Sequence, residues 1–340
     1  MSTSPEGSKL GPQGAGEVIL PTIVSLLFGF AAHGQSIVKV DGSSTVFPLT
    51  EAIAEEFQAV KKGAFRVTVG VSGTGGGFKK FCRGETDVQD ASRPISESEM
   101  SDCKKAGIKY IELPVGFDAI AVVVHPSATW LTKITIPELK KIWSPDSQGK
   151  ITKWNQVNPE WPATDLKLYG PGSDSGTFDF FTEAVVGKAH SSRGDYTGSQ
   201  DHNITVTGVS SDKNALGFMP LSYFEPNKER LRALLIEDPK GRSTGPSRAT
   251  VENGTYFLSR PVFIYVSEGG FKKTEVREFV EFYLENSMKL VDEVKLVPLP
   301  KKAYSLGLEH LKKLKWGTMF GGKSFVGFKI ENVMTRETAL

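Results

Sequence analysis

Two cysteines, five histidines and a nearly cancelled charge set the first limits on this chain of 340 residues. Cys82 and Cys103, with His33, His125, His190, His202 and His310 scattered between the ends, offer none of the paired spacings of a zinc site, so no metal and no cofactor is implied. The 41 Lys and Arg against 39 Asp and Glu leave a formal charge of +2, too little for the cationic surface that grips a phosphate backbone. Nucleic acid is therefore excluded as a partner. Gly170 to Thr177 lacks the Lys of a P-loop, no GxGxxG follows a strand with a suitably placed acid, and no Gly-x-Ser-x-Gly elbow occurs. Nucleotide binding and the common hydrolase nucleophile are thus unsupported. What is present is a composition 39% apolar and 24% charged, which at ~100–200 residues per domain predicts about two compact domains.

The apolar run from Val18 to Ala32 is shorter than the ~20 residues of a spanning helix and has the length of a signal-peptide core. Small residues follow at Ala31, Ala32 and Gly34, so residues 1–34 read as a signal peptide and the mature chain starts near Gln35, in the periplasm. The segment before the run carries one cation, Lys9, beside Glu6 and Glu17. An even cysteine count in an exported chain favours a disulfide between Cys82 and Cys103; two buried reduced thiols are the alternative.

Strands and helices alternate along the mature chain, which predicts an α/β fold. Ile37 to Val40 reads as a strand, and Pro48 to Val60 as a helix with Leu49, Ala52, Ile53, Phe57 and Val60 on one stripe. Val67, Val69 and Val71 form the next strand, then a glycine-rich loop from Ser72 to Gly77, then helical spacing at Phe78, Phe81 and Cys82. Ala119 to Val124 suits a strand covered on both faces. Leu166 to Tyr169 is a strand, Gly170 to Gly176 a loop and Thr177 to Val186 a helix, followed later by a strand at Val262 to Val266 and a helix at Lys273 to Leu290. Lys312, Lys313 and Lys315 mark the solvated face of a last helix.

Three strand-to-helix loops are rich in small hydroxyl residues: Gly42-Ser43-Ser44-Thr45, Gly73-Thr74-Gly75-Gly76-Gly77 and Ser173-Asp174-Ser175-Gly176-Thr177. Any one of them alone is explained by capping and turn formation. Three together, at the carboxyl ends of strands, aim helix N-termini with unpaired N–H groups and partial positive charge at one place, which suits an oxyanion. In Asp90-Ala91-Ser92-Arg93-Pro94, Pro94 leaves Arg93 at a strand end, where a guanidinium fork matches two oxygens of a tetrahedral anion.

Val40 to Pro48, Gly73 to Lys79, Asp87 to Pro94 and Asp174 to Thr177, with Asp212 to Phe218, together resemble the periplasmic phosphate-binding protein of ABC phosphate transporters. The resemblance reaches to about Phe320 and implies two α/β lobes with a hinge and one phosphate in the interlobe cleft. Crossings are implied near Leu113 to Phe117 and Leu258 to Phe263. Residues 36–115 plus 261–320 then make lobe one, 116–260 lobe two, and 321–340 a C-terminal tail. Thr45 and the Val46 N–H, Thr74, Ser175, Gly176 and Thr177 match the family's phosphate contacts, and Ser92 and Arg93 are expected to join them. Many members place an Asp where Ser92 stands and an Arg where Pro171 stands. Arg93 is expected to supply the guanidinium, and Asp174 either to replace the missing carboxylate or to orient Arg93. The implied function is phosphate binding and delivery by a monomer to a membrane ABC permease. An exported phosphatase or phosphotransferase, and a phosphate sensor, are the alternatives; the enzyme needs a base, and His125 and His190 lie outside the hydroxyl loops.

Overall fold

The computed structural model of the protein describes residues 36–323. The stretch read as a signal peptide and most of the expected C-terminal tail lie outside the described residues. Among the described residues no helix is long and apolar enough to cross a membrane.

The chain opens with β1 (Ser36–Gly42), which buries Val38 and Val40 while Ile37 and Lys39 face out, as period-2 alternation requires. Next come α1 (Phe47–Val60), β2 (Phe65–Val71), α2 (Gly73–Phe81), β3 (Val88–Ala91) and α3 (Glu97–Lys105). The long β4 (Tyr110–Val124) is buried throughout. A middle section follows: β5 (Lys133–Thr135), α4 (Ile136–Trp143), β6 (Lys167–Pro171), α5 (Gly176–Val186), β7 (Thr197–Ser199), α6 (His202–Ser211), β8 (Ala215–Pro220) and α7 (Leu221–Phe224). Then β9 (Arg232–Ala233), β10 (Leu235–Glu237), β11 (Ser243–Thr244) and α8 (Arg248–Glu252) lead into β12 (Ser259–Ser267), and α9 (Glu268–Phe271), α10 (Thr274–Glu293) and α11 (Lys301–Lys312) close the fold. Lys313 caps α11 and Lys315 follows it, with Lys312, Lys313 and Lys315 all exposed.

A sheet runs in the order β2-β1-β3-β12-β4-β8-β6-β7, with β9 added against β4, and a small separate sheet pairs β11, β10 and β5. Its two halves are parallel, β2-β1-β3 on one side and β8-β6-β7 on the other. Between them β12 and β4 are antiparallel to each other, from Ser259 opposite Ala119 to Ser267 opposite Tyr110, with a register slip at Val262/Phe263. β12 touches β3 only through Phe263 to Val266, and β4 touches β8 only through Ile120 to Val124. A short two-strand ribbon therefore carries the chain between the halves.

The glycine-rich segment expected as a loop is helical from Gly73 onward. Glycine is a poor helix former, so tertiary packing decides here: a Cβ at Gly77 would stand 2.6 Å from the Gly42 Cα, and its absence lets α2 lie directly on β1. Aromatic contacts then hold each helix whose N-terminus matters. Phe57 of α1 packs edge-on against Phe279 of α10 at 5.4 Å, Phe78 of α2 against Tyr265 of β12 at 4.9 Å, and Phe181 of α5 stacks on Phe218 of β8. Each such buried ring contributes roughly 1.5–3 kcal/mol. Cys82 at the end of α2 is disulfide-bonded to Cys103 of α3, as the even count suggested.

Candidate functional site

The N-termini of α1, α2 and α5 meet where the two halves of the sheet face each other. Thr45, in the turn before α1, places its Oγ1 3.0 Å from the Oγ1 of Thr177 in the first turn of α5. Thr74, in the first turn of α2, bonds Ser92 through both hydroxyls at 3.2 Å and accepts the Ser92 N–H at 3.2 Å. Gly176 fits against this pair so closely that a Cβ on it would lie 2.4 Å from the Ser92 Oγ and 2.5 Å from the Thr74 Oγ1. Thr45, Thr74, Ser92, Ser175 and Thr177 are all buried.

Local chemistry explains how each is held. Ser175 caps α5, its Oγ accepting the Thr177 N–H at 3.2 Å. The Val46 N–H donates to the Ser43 carbonyl at 3.2 Å, a long bond closing the turn before α1. Neither α1 nor α2 has a side-chain cap; at the start of α1 the Phe47 N–H donates to the Ser43 carbonyl and the Leu49 N–H to the Val46 carbonyl, and Pro48 has no N–H. The hydroxyl loops predicted from sequence are thus brought together, with donors at three positive helix ends.

Arg93 is at the site, but its surroundings differ from the expectation. Its Nη1 and Nη2 grip Glu99 at 2.8 and 2.9 Å, its Nη1 also donates to the Pro94 carbonyl, and its Nε donates to Asp179 at 2.6 Å. Glu99 is held in reach by the capping box of α3, where it also accepts the Ser96 N–H at 2.8 Å. The fork expected to seize an anion is therefore occupied by carboxylates, and one Nη2 hydrogen remains. Burial alone would lower the guanidinium's pKa; hydrogen bonds and charge from Glu99 and Asp179 outweigh it and hold it above its ordinary value. Asp174 is not the residue that orients Arg93: it is exposed at the rim, 3.9 Å from Lys79. The carboxylates on Arg93 are Asp179, across the cleft on α5, and Glu99.

Four further residues belong to the neighbourhood and were not read from the sequence as site residues. Arg260 on β12 is 1% exposed; its Nη2 donates to the Thr177 Oγ1 at 2.7 Å and to Asp118 at 3.2 Å, and its Nη1 to the Gly176 carbonyl. Burial lowers its pKa, and Asp118 opposes this only in part. Asp118 itself is pushed up to about 6 by burial against the pull of Arg260. His190 places its Nδ1 3.0 Å from Asp179, and the hydrogen bond with that carboxylate raises its pKa. His202, at the start of α6, places its Nε2 3.0 Å from the Ser44 Oγ, and burial pushes it down to about 3. A signal for Arg260 did exist: Ser259-Arg260-Pro261 repeats the tripeptide Ser92-Arg93-Pro94. In both, an arginine precedes a proline at the cleft.

Comparison with known proteins places this geometry. Residues 30–287 match the family model described as a PBP superfamily domain. The protein SphX of Synechococcus elongatus is 51% identical over 94% of this chain and 96% of its own length. The phosphate-binding protein PstS of Staphylococcus saprophyticus is 38% identical over 81% of this chain and 84% of its own. Among solved structures, a possible phosphate binding protein from Planctomyces limnophilus superposes with a TM-score of 0.63 at 45% identity, covering 82% of this chain and 98% of that one. A phosphate ABC transporter substrate-binding protein from Clostridium perfringens, solved with bound phosphate, superposes with a TM-score of 0.64 at 26% identity over 78% of this chain and 100% of that one. The chain belongs to the PBP superfamily and, within it, to the family of SphX and the phosphate-binding protein PstS, with that family's two-lobed α/β fold.

Proposed function

We propose that this chain binds inorganic phosphate in the cleft between its lobes, in the periplasm, and delivers it as a monomer to a membrane ABC importer. The observation that carries the reading is the convergence of three helix N-termini and their hydroxyls across the cleft, with the Thr45 and Thr177 hydroxyls 3.0 Å apart. Hydroxyls and backbone N–H groups replace the water shell of an anion while leaving its charge to be balanced by a few buried cations. Thr45, the Val46 N–H, Thr74, Ser92, Ser175, Gly176 and Thr177 are the proposed contacts; the long Val46 bond yields to a stronger acceptor. Arg93 contributes its remaining hydrogen and latches the lobes through Asp179. Asp174 guards the rim beside Lys79.

The strand pairings support lobes at 36–115 plus 261–320 and at 116–260, since β12 leaves β3 before residue 262 and β4 joins β8 only from residue 120. Residues 317–320 support the first lobe's end: the Thr318 hydroxyl and the Met319 N–H both donate to Glu112 of β4, at 2.6 and 2.7 Å. Closure about the ribbon between them stabilises the bound state by the anion's preference for the closed form.

Family membership makes the chain a solute-binding protein rather than an enzyme. Among the described residues, the histidine whose ring reaches a hydroxyl of these loops, His202 on Ser44, is held at about 3, too low for a general base near neutral pH. Calorimetric titration of the mature chain with phosphate, arsenate and sulfate tests the reading. A one-to-one phosphate isotherm weakened at least ~10-fold by Thr45→Val, the loss of one charge-assisted hydrogen bond, is expected. Absence of phosphate binding, or preference for sulfate, would contradict it.

A further inference from the structure

We infer that Arg260, carried on a strand that crosses between the lobes, is the cation that holds the anion in the cleft. The inference rests on the phosphate reading above and assigns the charge within that site.

The two guanidinium groups near the hydroxyls differ in what they lack. Arg93 has two carboxylates and has four of its five N–H groups engaged. Arg260 has one carboxylate, at the long distance of 3.2 Å, and its Nε has no hydrogen-bond partner although it is buried. The Asp118 Oδ1 opposite is likewise buried without a partner. Removing a cation from water while pairing it incompletely is costly, and such a group persists where a missing anion completes it. Burial lowers the Arg260 pKa and raises that of Asp118, both consistent with a pair whose charges are poorly balanced in this arrangement.

Geometry directs the unspent charge at the site. Because the Arg260 Nη2 donates to the Thr177 Oγ1, that hydroxyl's own hydrogen is turned away from the guanidinium and toward Thr45 or an anion beside them. Phe180 of α5 lies under the guanidinium, its ring centre 5.5 Å from Cζ, and covers one face, so an anion is met by the donor-bearing edge. Arg260 and Asp118 are also register partners in the ladder of β12 and β4. The charge that attracts the ligand is therefore rooted where the lobes join and holds α5 of lobe two by its side chain, so anion capture and closure act through one residue.

The test is phosphate titration calorimetry on the mature chain carrying Arg260→Gln or Arg260→Lys, with thermal unfolding of each without and with phosphate. Arg260→Gln is expected to weaken phosphate binding at least ~100-fold and to abolish the phosphate-induced rise in melting temperature. Arg260→Lys restores a point charge without the fork and is expected to recover part of this, ending ~10-fold weaker than the parent. A folded Arg260→Gln chain that binds phosphate within ~3-fold of the parent overturns the assignment. Should Arg260→Gln fail to fold, Arg260→Lys decides: unchanged affinity overturns the forked grip, and a ~10-fold loss with an unchanged phosphate-free melting temperature supports it. A parent chain that binds no phosphate overturns the functional reading and this assignment with it, whereas parent binding with an unaffected variant overturns the assignment alone.

Discussion

Arg93 and Arg260 each precede a proline at the same cleft, are almost fully buried and lie near the same hydroxyls, yet their neighbourhoods oppose each other. Arg93 is held by two carboxylates, Glu99 and Asp179, while Arg260 meets a single one, Asp118, at 3.2 Å. The difference teaches that a cation in a binding cleft is assigned by what already neutralises it, not by proximity. A saturated guanidinium ties parts of the protein together; an under-partnered one is left to hold a ligand.

The comparison can be broken most forcefully at Arg93. Arg93→Ala leaves the buried Asp179 with only His190 and the half-buried Glu99 without its guanidinium, and stability should fall by about 3 kcal/mol, measured by denaturant unfolding. A small loss would mean that Arg93 is no latch. The disulfide supports the same arrangement, because Cys103 sits on α3, the helix that presents Glu99. Reduction, or Cys82→Ser with Cys103→Ser, should cost roughly 3 kcal/mol for a loop of this size, read by the same unfolding curves with and without reductant. Gly176→Ala sharpens the other side of the comparison: the new Cβ collides with the Thr74 and Ser92 hydroxyls. Phosphate affinity should drop about 100-fold, equal to ~2.7 kcal/mol, while the unfolding midpoint without phosphate stays close to the parent's.

A pH slope probes Arg260 through its partner. Burial, against the pull of Arg260, raises the Asp118 carboxyl from its ordinary 3.8 to about 6. A carboxyl whose pKa is higher in the folded chain adds stability that is complete below about 3.8 and disappears as pH rises through 6. Asp118→Asn should therefore flatten the part of the stability curve that falls between about pH 4 and 6, measured by thermal unfolding across that range. An unchanged slope would mean that Asp118 is not strained by its place beside Arg260.

Much of this was legible in the amino-acid order. Alternating strands and helices, the apolar run into β4 and the hydroxyl loops before α1 and α5 all follow from local spacing, and local spacing is what a sequence displays directly. Two kinds of feature were not. The glycine segment at Ser72 to Gly77 reads as a loop by propensity, but contact with Gly42 on β1 makes it a helix. The partners of the arginines come from far along the chain: Asp179 is 86 residues from Arg93, and Asp118 is 142 residues from Arg260. Asp174 is the carboxylate embedded in the hydroxyl loop; Asp179, five residues later, is buried because the start of α5, from Gly176 to Thr182, is buried on every side. Pairing across a cleft depends on which lobe each strand joins, and no local pattern encodes that.

The most direct measurement is a high-resolution crystal structure of the mature chain grown with phosphate. The account predicts phosphate between the Thr45, Thr74 and Thr177 hydroxyls, within hydrogen-bond distance of the Arg260 guanidinium, with Arg93 still on Glu99 and Asp179. Phosphate held by Arg93 instead, with Arg260 turned wholly to Asp118, or a cleft without phosphate, would contradict it.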